Sequence, residues 1–383
     1  MKIYDVVILG AGASGLMCAS HLNKRLSVAM VDTNPKIAQK LKISGGGKCN
    51  ITNVSVSEKN FDGDGEFISS VFDSFSKQDL LEFLDRNGIK PVVRKNRYYF
   101  CPHSSDEIID LLRKKSRHVE MLLNSEVIGV EKKDDLFIVR AKKGEIKAKK
   151  VVVATGGKSF QNLGASDIGL KIAKDFGLKV REFSPALVGF TLQKDQFWMK
   201  GLSGLSCEVE IKVGEKTINE EMLFAHRGIS GPAVLSASLY WQKGSLSIDF
   251  LPNEDILELI KGSKKLISSV IPLPKRLSKE ILKALEIKDM ECKKVTPMIK
   301  SKLKSIHNYE FAPAGNFGFT KAEVSRGGVI CSELNPQTME SWHLKGLFFT
   351  GEVIDVTGEL GGYNFQWAFS SGVVCARGLL SVL

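Results

Sequence analysis

The chain opens on a short apolar run, Ile3 to Leu9 (IYDVVIL), whose β-branched residues predict a buried strand. A glycine-rich turn, GAGASG from Gly10 to Gly15, interrupts it. In LMCASHLNKR the apolar residues Leu16, Ala19 and Leu22 then recur at helical spacing. A second apolar run, LSVAMVD (26–32), ends on Asp32. Strand, glycine turn, helix and strand make the βαβ start of a parallel sheet. Ser76 to Asn87 reads as a helix with Leu80, Leu81 and Leu84 inward, stopped by Gly88. RYYFCPHSS reads as a strand and turn, and Ser105 to Lys115 as a helix. From Glu120 to Ala154 the pattern shortens to strands: EMLLNSEVIGVEKK, LFIVRAKK and EIKAKKVVVATGG, with turns at Asp134-Asp135 and Lys143-Gly144. This is a β-meander feeding a last buried strand, Val151–Ala154. DIGLKIAKDFG (167–177) is a helix ended by Gly177.

The character changes after Pro185. Residues 187–250 alternate as strands (LVGFTLQ, LSCEVEIKV, KTINEEMLFA, SLSIDFLP), predicting an antiparallel sheet or small barrel. Residues 256–306 are helical and lysine-rich, broken near Pro272 and Pro274. Residues 319–342 return to strand, LKGLFFTGEV (344–353) is a core strand, and Tyr363 to Leu383 is helical, with Trp367, Phe369, Val373, Ala376, Leu379 and Leu380 as its apolar positions.

Composition narrows this picture. The 383 residues suffice for two or three domains, and 43% hydrophobic with 25% charged content is ordinary for a soluble globular protein. No apolar run approaches the ~20 residues of a membrane helix, so no membrane partner is expected. The first apolar run contains Asp5 and leads into a glycine motif, which makes it a strand and not a signal peptide. A cytoplasmic protein is the expectation. Cysteines 18, 49, 101, 207, 292, 331 and 375 stand at no C-x-x-C spacing, and no clustered metal ligands are visible, so no metal is expected. Redox chemistry would come from a bound cofactor. The net charge is +11, and Ile256 to Glu310 holds 13 Lys/Arg against 6 Asp/Glu. Such a segment is a solvated helical face or the docking surface of an anionic partner; Tyr309 is its only aromatic, so it suggests no base-stacking surface.

Candidate chemistry begins at Gly10-Ala11-Gly12-Ala13-Ser14-Gly15, after a strand and opening a helix. There glycines permit a tight turn, and free N–H groups with the helix dipole favour a pyrophosphate. Asp32 closes the second strand, where a carboxylate can bind ribose hydroxyls. Near the end of the chain, GLFFTGEVIDVTGELGGYNFQWAFSSG (346–372) places Gly351, Glu352 and Asp355 after a strand, and Gly361, Gly362, Tyr363 and Asn364 at the opening of a helix. This stretch resembles a C-terminal fingerprint of FAD-binding flavoproteins, which implies that a carboxylate there binds the ribityl hydroxyls and that the N–H groups of Gly361 to Asn364 face the flavin pyrimidine edge. KISGGGKCNITN (42–53) allows three readings: a phosphate or flavin cradle, a plain turn, or a reactive thiol at Cys49. As a cradle it offers Gly45, Gly46 and Gly47 for close approach, Lys48 for charge, and Asn50 and Thr52 for hydrogen bonds. His226, in LFAHRGISGP, is either a proton donor beside the flavin or a structural histidine. Ser230 lies in G-I-S-G, which is not a hydrolase elbow. Tyr363 and Asn364 are placed beside the cofactor, not as acid or base.

The late strand ending in Thr155-Gly156-Gly157 resembles the second fingerprint of two-dinucleotide-domain flavoproteins, whose meander also touches the adenine end, here at Val127. With the segments ISGGGKCNITN, ATGGKS, SPALVGF, LFAHRGISGPAVLSAS, GGVICSELNPQTMES and the final glycine-rich stretch, the chain resembles, over essentially its whole length, the NAD(P)/FAD-dependent oxidoreductases labelled aminoacetone oxidase-like or bile-acid reductase-like. The resemblance implies an α/β fold, with a Rossmann-type FAD-binding domain and β-meander over 1–187 and 319–383. A barrel-like, β-rich insert over 188–254 and 309–318 would form the substrate side, and 255–308 a lysine-rich helical subdomain. Three departures stand out: Lys48 where the family has arginine, SFQNLGASDIG after ATGG, and ESW before His343. The implied activity is hydride transfer between a small organic substrate and FAD, with NAD(P)H or O2 as the electron partner. The alternative is a flavoprotein that uses its basic helices to dock nucleic acid.

Overall fold

The computed structural model describes residues 2–381. Its chain divides into two compact units, Met1–Pro185 with Glu323–Leu383, and Ala186–Ala322. Each unit has its own apolar core.

In the first unit the opening pattern forms β1 (Ile3–Leu9), α1 (Ala13–His21) and β2 (Val28–Val31). The helix stops at His21, short of the predicted Arg25, because the chain turns extended at Leu22. β1 is the centre of a seven-stranded sheet. It pairs in parallel with β2 on one side and with the strand Gly144–Val153 on the other. That long strand does two jobs: its first half closes the meander against Leu136–Ala141, and its second half pairs in parallel with Leu347–Phe349. The Glu120–Leu122 segment leaves the predicted meander and pairs in parallel with β2. These parallel strands are almost wholly buried, as strands covered on both faces must be.

The helix predicted to start at Ser76 runs Lys77–Asp85, with Ser76 and Asp79 forming a capping box, and Leu80 and Leu84 fully buried. Leu81 is only half-buried. The last helix runs Tyr363–Ser381 and packs along α1; Val382 and Leu383 lie outside the described residues. Leu380, predicted as a core position, is exposed. The strand predicted over 319–342 shrinks to Val324–Val329, followed by a short helical turn.

The second unit contains a seven-stranded antiparallel sheet. It runs from Tyr309–Phe311 at one end to Gly315–Asn316 at the other, and among the described residues no pairing joins the two ends. These two end strands are only three residues apart in the chain, and the Phe190 and Phe311 rings, from opposite ends of the strand order, stand 6.4 Å apart, so the sheet curls round on itself. Two elements escaped the sequence pattern. One is the 3-10 helix Lys194–Leu202; the other is the helix Pro232–Tyr240, which opens on a proline and buries Ala233, Val234, Ser236, Ala237, Ser238 and Leu239. A helix buried almost all round has no polar face and so no 3.6-residue signature. The lysine-rich segment is helical as expected and breaks at the prolines, with helices Ile256–Ile260, Ile267–Val270, Lys275–Ala284 and Pro297–Leu303.

Candidate cofactor site

The glycine turn after β1 is tied to β2 by the Gly10 N–H, which bonds Val31 O at 2.8 Å. Its glycines are not equivalent. Gly10 has φ +110°, and a Cβ there would stand 2.4 Å from Ala154 O. A Cβ on Gly15 would stand 2.1 Å from Gly10 O. At Gly12 nothing lies within 4 Å of the Cβ position. Gly12 is also the N-cap of α1 and supplies no side-chain cap, so the first-turn N–H groups are left for an outside acceptor. Asp32 braces the turn: Oδ2 accepts the Ala11 N–H at 2.7 Å, and Oδ1 accepts the Asn34 N–H at 2.8 Å. Oδ1 also accepts Asn34 Nδ2 at 3.0 Å, so it is Oδ2 that has a further lone pair to offer.

The other two glycine motifs converge on the same place. A Cβ on Gly351 would stand 2.4 Å from Ser14 Oγ, so the late motif is pressed against the start of α1. A Cβ on Gly157 would stand 2.8 Å from Glu352 Oε1 and 2.5 Å from Ser325 Oγ. Glu352 Oε1 accepts the Ser325 N–H at 2.8 Å, and its Oε2 takes Lys40 Nζ at 2.8 Å. Ser325 Oγ accepts the N–H groups of Lys158 and Ser159 at 2.7 and 3.0 Å. Thr155 has its Cα beside the crowded Gly10 and its Oγ1 against Gly169, where a Cβ would stand 2.3 Å away, and that Oγ1 is buried with no hydrogen-bond partner. A buried hydroxyl left unpaired costs about 1–3 kcal/mol, so it marks a position where a partner is due.

The GGGKCN stretch forms the end of α2 (Gln39–Gly47) and leads into β3 (Asn50–Asn53). The helix breaks at Ser44, and Gly45, Gly46 and Gly47 then take φ of +56°, +65° and +81°. Around Gly46 and Gly47 the Cβ positions are open. Lys48 is half-buried, with no carboxylate at ion-pair distance among the described residues. β3 runs beside the last glycine turn. Asn53 Nδ2 donates to Gly361 O at 3.1 Å, and Asn50, its amide oriented to satisfy its neighbours, accepts the Gly362 N–H at 3.3 Å.

Several predicted positions turn out to do other work. The Thr52 hydroxyl is fully buried and donates to Gln366 Oε1 at 2.6 Å, so it holds β3 to the last helix. The Asn364 amide exchanges two hydrogen bonds with the Gly358 backbone, at 2.8 and 2.9 Å, and closes the turn before the helix. Tyr363 is buried edge-on to Phe61, and burial pushes its phenol up to about 12, which suits a packing residue. Cys49 is fully buried; contact with the Cys101 thiol, and then burial, push its pKa well above the usual thiol range. Both disfavour the thiolate, which is the nucleophilic form. His226 is exposed in the turn between strands Lys216–Ala225 and Gly228–Ser230 of the second unit. Val127 starts the outermost meander strand, opposite Ala141. Asp355 lines a cavity of about 250 Å³ with Asp62, Arg181 and Cys331. Its pKa is raised chiefly by burial, against the opposing pull of Arg181, 3.4 Å away.

Lys40, Asn53 and Ser325 are the residues that sequence reasoning did not single out. Asn53 sat inside a quoted motif, and Ser325 two residues before another, which is the one signal that pointed near them. Lys40 reaches Glu352 across 312 positions of chain, and no local pattern carries that.

Comparison with known proteins gives the arrangement its context. The model of the HI0933-like protein Rossmann domain family matches residues 4–378. The chain is 36% identical to the ribosomal RNA dihydrouridine synthase of Haemophilus influenzae, over 97% of each chain. It is also 36% identical to the enzyme of the same name from Escherichia coli, over 100% of this chain and 99% of that one. A 3-dehydro-bile acid delta(4,6)-reductase of Clostridium scindens is 27% identical over 97% of each. Among solved structures, E. coli quinol fumarate reductase aligns with TM-score 0.53 at 13% identity, over 99% of this chain and 70% of that one, which is a likeness of fold. The parallel sheet with its glycine turn and the match over nearly every residue agree: this chain belongs to the HI0933-like family of Rossmann-domain proteins.

Proposed function

We propose that this chain, a flavin-dependent oxidoreductase by its family, binds FAD along the three converging glycine turns and reduces uridine in ribosomal RNA to dihydrouridine. The observation that carries the substrate is end-to-end identity of 36% to two ribosomal RNA dihydrouridine synthases. The chain's own residues suit the cofactor: open space at Gly12, an uncapped α1, an orphaned Thr155 hydroxyl, and left-handed glycines bordering open space at Gly46 and Gly47. On this reading the α1 N-terminus and Gly12 hold the pyrophosphate, and Asp32 the adenosine ribose. Glu352, steadied by Lys40 and Ser325, takes the ribityl hydroxyls. The backbone of Gly361 to Asn364 faces the pyrimidine edge, where a helix N-terminus stabilises negative charge.

When bound, FAD supplies the hydride. Uracil is a suitable acceptor because its C5=C6 double bond is conjugated with the C4 carbonyl, so hydride adds at C6 and a proton at C5. The name of the C. scindens relative also describes reduction of ring double bonds, in a small molecule. A small conjugated ketone is therefore the second reading. We take NAD(P)H as the electron donor in both, entering transiently, since the sequence has no second G-x-G-x-x-G turn.

The test is complementation. E. coli lacking its 36%-identical relative is given this chain, and its ribosomal RNA is digested to nucleosides for mass spectrometry. Dihydrouridine should return. A folded, FAD-loaded protein that leaves the RNA unmodified, yet whose NADPH-reduced flavin is reoxidised by a conjugated cyclic ketone, would overturn the RNA reading in favour of the small-molecule one.

A further inference from the structure

We infer that the lysine-bearing helices of the second unit dock the phosphate backbone of the RNA substrate, gripping it by position and not by sequence. The inference rests on the RNA reading above and adds the surface that would hold the RNA.

The structure separates neutralised from free charge in this segment. Glu258 pairs with Lys261 at 3.1 Å, Glu280 with Lys283 at 2.6 Å, Glu286 with Lys302 at 3.2 Å, and Glu291 with Lys293 at 3.0 Å. Asp289 is taken by Ser268, whose hydroxyl donates at 2.6 Å. Among the described residues this leaves Lys264, Lys265, Lys275, Lys279, Lys288, Lys300 and Lys304 exposed and without a carboxylate at ion-pair distance.

Four of them are regularly placed. Lys275 and Lys279 stand four apart on the helix Lys275–Ala284, whose Leu277, Ser278, Ile281 and Leu282 are buried. Lys300 and Lys304 stand four apart on the helix Pro297–Leu303 and the turn that follows it. The Glu286–Lys302 pair ties the second helix to the chain just beyond the end of the first. Like charges four apart lie about 5–6 Å from one another and cost a few tenths of a kcal/mol, a cost that a row of phosphates would reverse.

The side-chain chemistry indicates which anion. Lysine is a flexible point charge, suited to phosphate contacts that fix position without reading bases. The segment's only aromatic, Tyr309, is half-buried, and its hydroxyl accepts a hydrogen bond from Trp198 Nε1 at 3.2 Å, so there is no stacking platform. Insertion into a membrane surface needs an exposed apolar helix face, and here the apolar positions of Lys275–Ala284 are buried in the core of the unit.

The experiment measures binding of fluorescently labelled, deproteinised E. coli ribosomal RNA to the FAD-loaded full chain across a salt series. The quadruple variant K275Q/K279Q/K300Q/K304Q is compared with a control, K24Q/K90Q/K133Q/K171Q, which removes the same charge from exposed positions of the first unit. Neutralising about four phosphates of single-stranded RNA gives a log–log salt slope of about −3. The helix variant should lose that share of the slope and bind on the order of 10–100-fold more weakly at low salt, while the control stays close to the parent. Flavin reduction by NADPH should be the same in all three. Equal loss in both variants, or none in the helix variant, overturns the docking surface. Binding of duplex DNA or of vesicles rich in acidic phospholipid as tight as that of ribosomal RNA overturns the assignment to RNA. The binding readout does not depend on turnover. A parent that binds through these lysines but makes no dihydrouridine would defeat the catalytic reading alone.

Discussion

Gly10–Gly15 and Gly45–Gly47 carry three glycines each, and the structure uses them differently. In the first turn, Gly10 and Gly15 are required by the protein itself: a Cβ at either would run into backbone oxygen, at 2.4 and 2.1 Å. Only Gly12 borders empty space. In the second turn, Gly46 and Gly47 border empty space, and what demands glycine is the backbone, held at φ +65° and +81°. One turn is glycine because strand and helix must touch; the other because the chain must reverse out of a helix. Crowding and conformation have different energetic signatures, and open space at a glycine has a third, which is seen only when the cofactor is present.

The largest effect is expected at the crowded pair. Gly15→Val puts branched carbons against Gly10 O, where neither backbone segment can retreat without parting β1 from α1. A loss of about 3 kcal/mol or more, or failure to fold, should appear in thermal melts of the apoprotein. Gly46→Ala should be intermediate. It has room for the methyl group and carries only the left-handed penalty of about 1–2 kcal/mol. Should Gly46→Ala melt as low as Gly15→Val, the contrast between crowding and conformation collapses. Gly12→Ala should leave the apoprotein within about 1 kcal/mol of the parent, since the methyl group meets nothing and only the N-cap preference for glycine over alanine is lost. Its effect should appear in FAD retention, weakened on the order of tenfold or more if the pyrophosphate lies there, as read by flavin fluorescence during dialysis. Unchanged retention would remove the pyrophosphate from Gly12.

These contrasts show where the sequence was informative. The first glycine turn was legible because everything it needs is within about thirty residues: strand, turn, helix, and Asp32 bracing Ala11. The helix start near Ser76 and the Gly88 and Gly177 stops were legible for the same reason. The node of Glu352, Lys40 and Ser325 was not, because its members are distant in sequence and each alone is an ordinary polar residue. Cys49 is a different case. The sequence left a reactive thiol open as one of three readings, and only the fold reveals Cys101 beside it and no solvent at all. The helix Pro232–Tyr240 was hidden because burial on all sides erases periodicity. How far the second sheet curls could not be read from the pattern, since alternation fixes which face of a strand is buried and not whether the two edges meet.

Thr155 gives the smallest effect and the sharpest sign. Its Oγ1 is buried and unpaired within the described structure and lies against Gly169, while its backbone borders Gly10. Thr155→Val keeps the branched shape and removes the unsatisfied oxygen, so the apoprotein should be unchanged or more stable by up to about 1 kcal/mol. If the hydroxyl's missing partner is the cofactor, the same substitution should weaken FAD binding by a few-fold, and FAD should then raise the melting temperature less in the variant than in the parent. Stability and affinity would move in opposite directions from one atom. A variant less stable without FAD and equally stabilised by it would mean that the oxygen has an ordinary structural partner, and that the open space at Gly12 does not extend to Thr155.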